Sequence, residues 1–496
     1  MPNKNEEKPN AEKAENDSGA GTGPKAELQD TLAVVDHEII IKGVALHYTT
    51  TTGTFVIKDE AGKAKSTIFF IAYTKKDVPD ESTRPLTISF NGGPGSSSVW
   101  LHLGLLGPRR VQSGDVGNMQ PPPYRLLDNE FTLLTVSDLV FIDPVSTGFS
   151  RPAPGEEAKQ FHGLENDIES VGDFIRLYVT RYKRWRSPKF LVGESYGTTR
   201  AAGLSGYLQN RHGMYLNGLM LISSILNFQT ARFNLGNDLP YILFLPTYAA
   251  TAHYHGQVGD EYKADLQGFL AEVTTFAAGE YTLALMQGDR LAGEARAQII
   301  AKLARYTGLS ATYIERTNLR INIHRFCKEL LRAQRRTVGR IDARFQGIDR
   351  DASGEDFEHD PSMTAIMGPY TGAFNDYVRR ELAFENDLPY EIMTSLYQTW
   401  SYDKHQNQYV NVAETLREAM SKNPALKVIV ANGYYDLATP YFATEYTFNH
   451  LELDPTLRDN IAMTYYEAGH MMYIHEASLT QLAEDLRSFV HDSIPT

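Results

Sequence analysis

A serine set between glycines, in Gly193-Glu194-Ser195-Tyr196-Gly197, directly follows the apolar run Phe190-Leu191-Val192 and opens a helix-compatible stretch. This arrangement predicts a buried strand, a sharp turn and a helix, with the Ser195 hydroxyl lifted clear of the sheet. The flanking glycines are needed because side chains there would collide with the packed turn. A bare G-x-S-x-G match is only moderately specific, so its weight comes from the chain on either side.

That chain alternates in a regular way. Short apolar runs recur at Leu86–Phe90, Leu139–Ile142, Phe190–Val192 and Leu219–Ile222, and much later at Val428–Ala431 and Met463–Tyr466. Helical spacing appears at Ile168, Val171, Phe174 and Tyr178, and at Leu479, Leu482, Leu486 and Phe489. Buried strands alternating with helices predict right-handed crossovers and a mostly parallel sheet. Ahead of it, residues 37–76 predict an antiparallel meander. Its short strands are Ile39–Ile41, Leu46–Tyr48, Phe55–Ile57 and Ile68–Ile71, with turns at Gly43, Gly53 and Ala61-Gly62.

Between Ile222 and Val428 the rhythm breaks, and residues 262–336 read as helix after helix, too ordered in pattern for a loop. The expected organisation is an α/β catalytic domain over 36–225 and 390–496, with a mainly helical cap inserted at 226–389. Residues 1–35 are expected to be disordered. The first thirty contain no aromatic and no β-branched apolar residue, and so cannot bury enough surface to offset their ordering entropy. They also lack the basic start and apolar stretch of a secretory signal.

Composition removes several classes of function. No stretch of about 18 apolar residues occurs, so no membrane span is expected. A net charge of -13 disfavours nucleic acid, whose phosphates need a basic stripe. The one basic cluster, Arg332 to Arg340, reads as a solvated helix face. The single cysteine, Cys327, excludes an internal disulfide and zinc sites built from several thiolates; it reads as a packed core thiol.

A serine hydroxyl needs a neighbouring base, itself oriented by a third group. In a doubly wound sheet these groups sit on loops at the carboxyl ends of strands. Asp436 follows the run ending at Ala431, and His470, preceded by Gly469, follows the run ending at Tyr466. The order Ser195, Asp436, His470 is that of the α/β-hydrolase fold. A lone aspartate after a strand is usually a turn residue; three such residues in order point to a catalytic triad. His102 and His162 follow no late strand, and His470 and His475 lack H-E-x-x-H spacing, so no metal or other cofactor is expected.

The loop Asn91-Gly92-Gly93-Pro94-Gly95-Ser96-Ser97-Ser98 lacks the lysine of a phosphate-binding loop. It reads instead as the source of a backbone N–H for an oxyanion, from Gly93, paired with the N–H of Tyr196.

Taken together, N-G-G-P-G-S-S, the segment Ile142 to Ser150, G-E-S-Y-G, the Asp436 loop and Gly469-His470-Met471 resemble the serine carboxypeptidases, from about residue 37 onward. The resemblance implies an α/β-hydrolase fold with a mostly parallel central sheet, an N-terminal antiparallel meander and an inserted helical cap. It implies Ser195, Asp436 and His470 as the triad and the backbone of Gly93 and Tyr196 as the oxyanion hole. Asn91 and Glu194 would bind the substrate's terminal carboxylate, and Met471, with Trp100 as a further candidate, would line a side-chain pocket. Two carboxylates in contact must share a proton, which fits the family's acidic preference.

The chain departs from the family pattern at two positions. Ser89 stands where a tryptophan is usual, and Leu105 stands where a second glutamate is usual. The lack of family-type disulfides fits a bacterial-style branch.

The expected function is a serine-type carboxypeptidase that releases C-terminal amino acids from peptides bearing a free terminal carboxylate. The alternatives are an esterase or acyltransferase using the same triad, and a non-catalytic binding protein on a hydrolase scaffold. The resemblance favours a periplasmic or secreted location, although this chain shows no signal peptide. Side-chain preference and oligomeric state are not encoded in any motif.

Overall fold

In the computed structural model, residues 27–112, 116 and 121–494 are described. Three long strands come first: β1 (Thr31–Ile41), β2 (Val44–Lys58) and β3 (Ala64–Lys75), paired antiparallel in sequence order. They are followed by β4 (Leu86–Phe90), β5 (Asp138–Ile142), β6 (Lys189–Ser195), β7 (Gly218–Ser224), β8 (Lys427–Gly433) and β9 (Ile461–Tyr466). The sheet order is β1-β2-β3-β5-β4-β6-β7-β8-β9, with the short pair Arg151–Pro152 added beside β3. Strand β5 joins β3 antiparallel, and every pairing from β5 through β9 is parallel.

The parallel strands read as continuous apolar runs because both of their faces are covered. On one face lie α1 (Leu164–Arg181), α2 (Tyr196–His212) and, further along the chain, the helix Ala413–Lys422. Val171, Phe174, Leu204, Leu208 and Leu416 pack there on Leu191, Leu219 and Val428. The other face is covered by Pro361–Arg380 and Glu476–Asp492, through Phe374, Tyr377, Leu479 and Leu482. Burying one such leucine or phenylalanine contributes roughly 1.5–3 kcal/mol.

The helical insert has its own core. Phe244, Val273, Leu303, Phe326 and Cys327 cluster there, joined by Tyr435, Leu437 and Tyr441 from beyond the insert. The insert was expected over 226–389, but by packing it divides. The helix Pro361–Arg380 shares the core beneath the sheet rather than the insert's own core.

Two local expectations are corrected. The leader assigned to residues 1–35 lies outside the described residues as far as residue 26, and its last five residues are strand, since β1 begins at Thr31. Leu46–Tyr48 and Phe55–Ile57 are not separate strands but parts of β2, which runs straight through Gly53. Glycine is required there by close approach rather than by a turn, because a Cβ would sit 1.9 Å from the Thr31 carbonyl oxygen.

Gly53→Ala is therefore expected to push the start of β1 off the sheet and destabilise the protein by about 1–3 kcal/mol. Urea unfolding measures this; an unchanged midpoint would show that β1 is not held at that contact.

Candidate active site

Ser195 is the last residue of β6 and adopts φ +61°, ψ -130°, a strained left-handed-side conformation for a residue with a side chain. Helix α2 begins at the next residue, so the Tyr196 N–H lies in a first turn whose amides have no intrahelical acceptor. The turn is tight enough that a Cβ on Gly193 would stand 2.2 Å from the Gly197 carbonyl oxygen, and one on Gly92 would stand 2.4 Å from the Tyr196 nitrogen. The glycine loop after β4 is thereby pressed onto the amide that follows Ser195.

Other residues hold that loop. The Asp143 carboxylate accepts the Ser98 N–H at 2.8 Å, and the Ser98 hydroxyl donates to the Ile142 carbonyl. Residues 391–394 lie across the loop, with Ser97 N–H donating to the Ile392 carbonyl (3.1 Å) and Thr394 N–H to the Gly95 carbonyl (2.8 Å). The segment from Ile142 to Ser150 thus serves the site as scaffold.

The acid and the imidazole arrive on loops after β8 and β9. Asp436 is fully buried, and its carboxylate accepts from Ala438 N–H (2.8 Å), Thr439 N–H (3.0 Å) and the Thr439 hydroxyl (2.7 Å). His470 Nδ1 lies 2.8 Å from Asp436 Oδ2. With Nδ1–H donated to Asp436, Nε2 is the nitrogen left to take a proton. The Ser223 hydroxyl donates to the His470 carbonyl at 2.7 Å, and Ser224 beside it is in register with Ser195. This ties the imidazole loop to the strand next to the one that ends at Ser195. Burial pushes the His470 imidazole down, but the charge and hydrogen bond of Asp436, with the charge of Glu194, outweigh it and the net displacement is upward.

Beside Ser195, buried Glu194 accepts from Asn91 Nδ2 at 2.9 Å and from the Tyr473 hydroxyl at 2.7 Å. Burial pushes its carboxyl up to about 7, with His470, Tyr473 and Asn91 pulling the other way. Asn91 is itself fixed: its side-chain oxygen accepts the Leu101 N–H (3.1 Å), and its carbonyl accepts from Arg200 (2.6 Å). Arg200 is buried in α2 and paired with buried Asp167.

The structure therefore brings His470 onto Asp436, Glu194 onto Asn91, and the glycine loop onto the Tyr196 amide. The expected pocket residues behave differently. Trp100 donates its indole N–H to the Ser96 hydroxyl (2.7 Å) and packs on Tyr370, and Met471 is enclosed in the same core. Leu105 is also buried in that core, and the Tyr473 hydroxyl supplies a partner for Glu194. His102 bonds the Tyr73 hydroxyl and is held neutral by burial, with its pKa pushed to about 3. His162 bonds Ser146 and stacks on Trp400. Among the described residues, Asp349, Glu358 and His359 in the insert could gather round a cation, but Asp349 is already paired with Lys328.

Three contributors went unread in the sequence. Arg200 carried a signal, a charge set among the small residues of its helix's first turns that needs a buried acid. Tyr473 and Thr439 carried none, because a hydroxyl near a histidine specifies no direction.

The chain matches the family model described as serine carboxypeptidase over residues 49–483. It is similar to the pheromone-processing carboxypeptidase KEX1 of Saccharomyces cerevisiae, with 34% identity over 145 residues, which are 28% of this chain and 19% of that protein. It is also similar to the lysosomal protective protein of Mus musculus, with 27% identity over 194 residues, 38% of this chain and 35% of that one. The match to KEX1 thus spans about a fifth of that relative's length. The crystal structure of a yeast prohormone-processing carboxypeptidase, Kex1(delta)p, superposes with a TM-score of 0.57 at 16% identity, covering 90% of this chain and 91% of that one, a likeness of fold.

Titration of the Glu194 carboxyl, followed by carbon NMR, is expected to show a midpoint near 7. Tyr473→Phe removes a bond that favours the charged form and should move the midpoint upward. A midpoint in the ordinary glutamate range would contradict this environment.

Proposed function

The chain belongs to the serine carboxypeptidase family, and we propose that it releases C-terminal amino acids from peptides through an acyl-enzyme formed on Ser195. The Ser195 hydroxyl attacks the last peptide carbonyl while His470 Nε2 takes its proton. Asp436, two-fold bonded by backbone N–H groups, keeps the imidazole in the tautomer with Nδ1 protonated and stabilises the imidazolium that forms. The oxyanion is received by the N–H groups of Gly93 and Tyr196. The leaving amino group takes the proton from His470, and water then repeats the sequence to free Ser195.

The observation that carries the reading is Glu194, a buried acid adjacent to the nucleophile and hydrogen-bonded by Asn91. A carboxyl poised near 7 carries a proton through mildly acidic conditions, so it can share that proton with a substrate carboxylate where two bare charges would repel. Asn91 adds a donor fixed in place. A plain esterase has no use for this pair.

His470 must be neutral to act as base, so turnover is lost as pH falls through its raised pKa. Glu194 must be protonated to hold the carboxylate, so KM is expected to rise as pH climbs through about 7. In Glu194→Gln, which donates at every pH, KM should stay flat; a KM that still climbs would remove Glu194 from this role.

Ser195→Ala is expected to lower release of the terminal amino acid from a blocked dipeptide by at least about ten-thousand-fold. Release at the wild-type rate would end the proposal. Asn91→Ala should lose peptide cleavage far more than cleavage of a simple ester, and equal losses would favour an esterase or acyltransferase.

A further inference from the structure

We propose that the buried ion pair of Asp342 and Arg344, carried on the segment between the helical insert and the helix Pro361–Arg380, is a positioning device for the His470 imidazole. The inference rests on the roles of Ser195, Asp436 and His470 given above. The pair is bidentate, with Arg344 Nε to Asp342 Oδ1 at 2.9 Å and a terminal nitrogen to Oδ2 at 2.6 Å. Both side chains are at least 97% buried, being 3% and 0% exposed.

Each partner also reaches the loop that carries the imidazole. Asp342 Oδ2 accepts the Gly469 N–H at 3.3 Å, and the remaining Arg344 terminal nitrogen donates to the Glu467 carbonyl at 2.6 Å. Next to them the backbone does the same work: the His470 N–H donates to the Ile341 carbonyl at 2.7 Å. The acid's loop is tied to the same segment, with Leu437 N–H on the Arg340 carbonyl (3.1 Å) and Ala343 N–H on the Tyr435 carbonyl (3.0 Å). Five hydrogen bonds from residues 340–344 thus reach the two loops whose 2.8 Å contact sets the tautomer of His470. The contact is close-packed as well, since a Cβ on Gly469 would stand 2.5 Å from the Asp342 Cβ.

A buried ion pair gains little stability over apolar residues of the same size. What this one supplies is direction. The planar guanidinium holds Asp342 and the Glu467 carbonyl at once, a geometry that a lysine ammonium does not reproduce. Residues 467–470, the stretch leading into the imidazole, are thereby fixed, and Arg344 is braced by the Tyr435 ring, 5.4 Å away. A small displacement of a catalytic group costs up to about a hundred-fold in rate.

The test compares Arg344→Lys and the double variant Asp342→Leu/Arg344→Met with the wild-type enzyme. The double variant replaces the pair by apolar groups and so retains the fold, which near-UV circular dichroism checks. Turnover of a blocked dipeptide is expected to fall about 10–100-fold in the double variant and about 3–10-fold in Arg344→Lys, with KM unchanged. The charged groups facing the imidazole are Asp436, Glu194 and Arg340. As the hold of Asp436 loosens, the acid limb of kcat moves to lower pH, and the downfield Nδ1 proton resonance broadens.

Wild-type kcat and an unmoved acid limb in a folded variant would overturn the inference. Should the double variant not fold, Arg344→Lys decides alone. The rate of Ser195 labelling by a fluorophosphonate, expected to fall in parallel, separates the two ideas. Labelling without amino-acid release in the wild type would reject the carboxypeptidase reading, and labelling at equal rates in all three proteins would reject the positioning role.

Discussion

A carboxylate sealed away from water must find its hydrogen bonds inside the protein, and the arrangement around Asp436 follows from that requirement. Its oxygens take two backbone N–H groups, one hydroxyl and one imidazole nitrogen, all supplied by its own turn and the neighbouring loop. Burial on this scale is tolerable only when every lone pair has a partner. The turn Leu437 to Pro440, the position of Thr439 and the orientation of His470 are therefore a single solution. The backbones must also touch for it to work: a Cβ on Gly433 would lie 2.3 Å from the Gly469 carbonyl oxygen.

Two further acids are buried nearby and are treated differently. Asp143 and Glu194 are both pushed up to about 7, chiefly by burial. Asp143 uses its oxygen to hold the Ser98 amide and keep the glycine loop in place. Glu194 faces Asn91 and Tyr473, neutral donors that leave it able to gain or lose a proton. Similar acidities thus arise in two settings, one a carboxylate that holds a backbone amide and one a carboxyl held by neutral side chains.

The legible part of the sequence was the part governed by backbone rules. The apolar runs gave the parallel strands because covered strands have no polar face to hide. Gly193 and Gly197, on either side of Ser195, announced the turn because a Cβ would not fit at either. Asp436 and His470 were singled out by their place after strands, and their side chains meet. Gly53 was misread as a turn because close approach and chain reversal both select glycine, and only the third dimension separates them. The helix Pro361–Arg380 was grouped with the insert because helical spacing shows which face is apolar and not what covers it. Arg200, Asp342, Arg344 and Tyr473 act through partners more than thirty residues distant, such as Asn91, Glu467 and Glu194, and no local pattern records such a partnership.

The insertion of a helical unit between β7 and β8 has a temporal consequence. Ser195 leaves the ribosome well over two hundred residues ahead of Asp436 and His470. Until β8 and β9 dock beside β7, the contact between Asp436 and His470 has no place in the sheet.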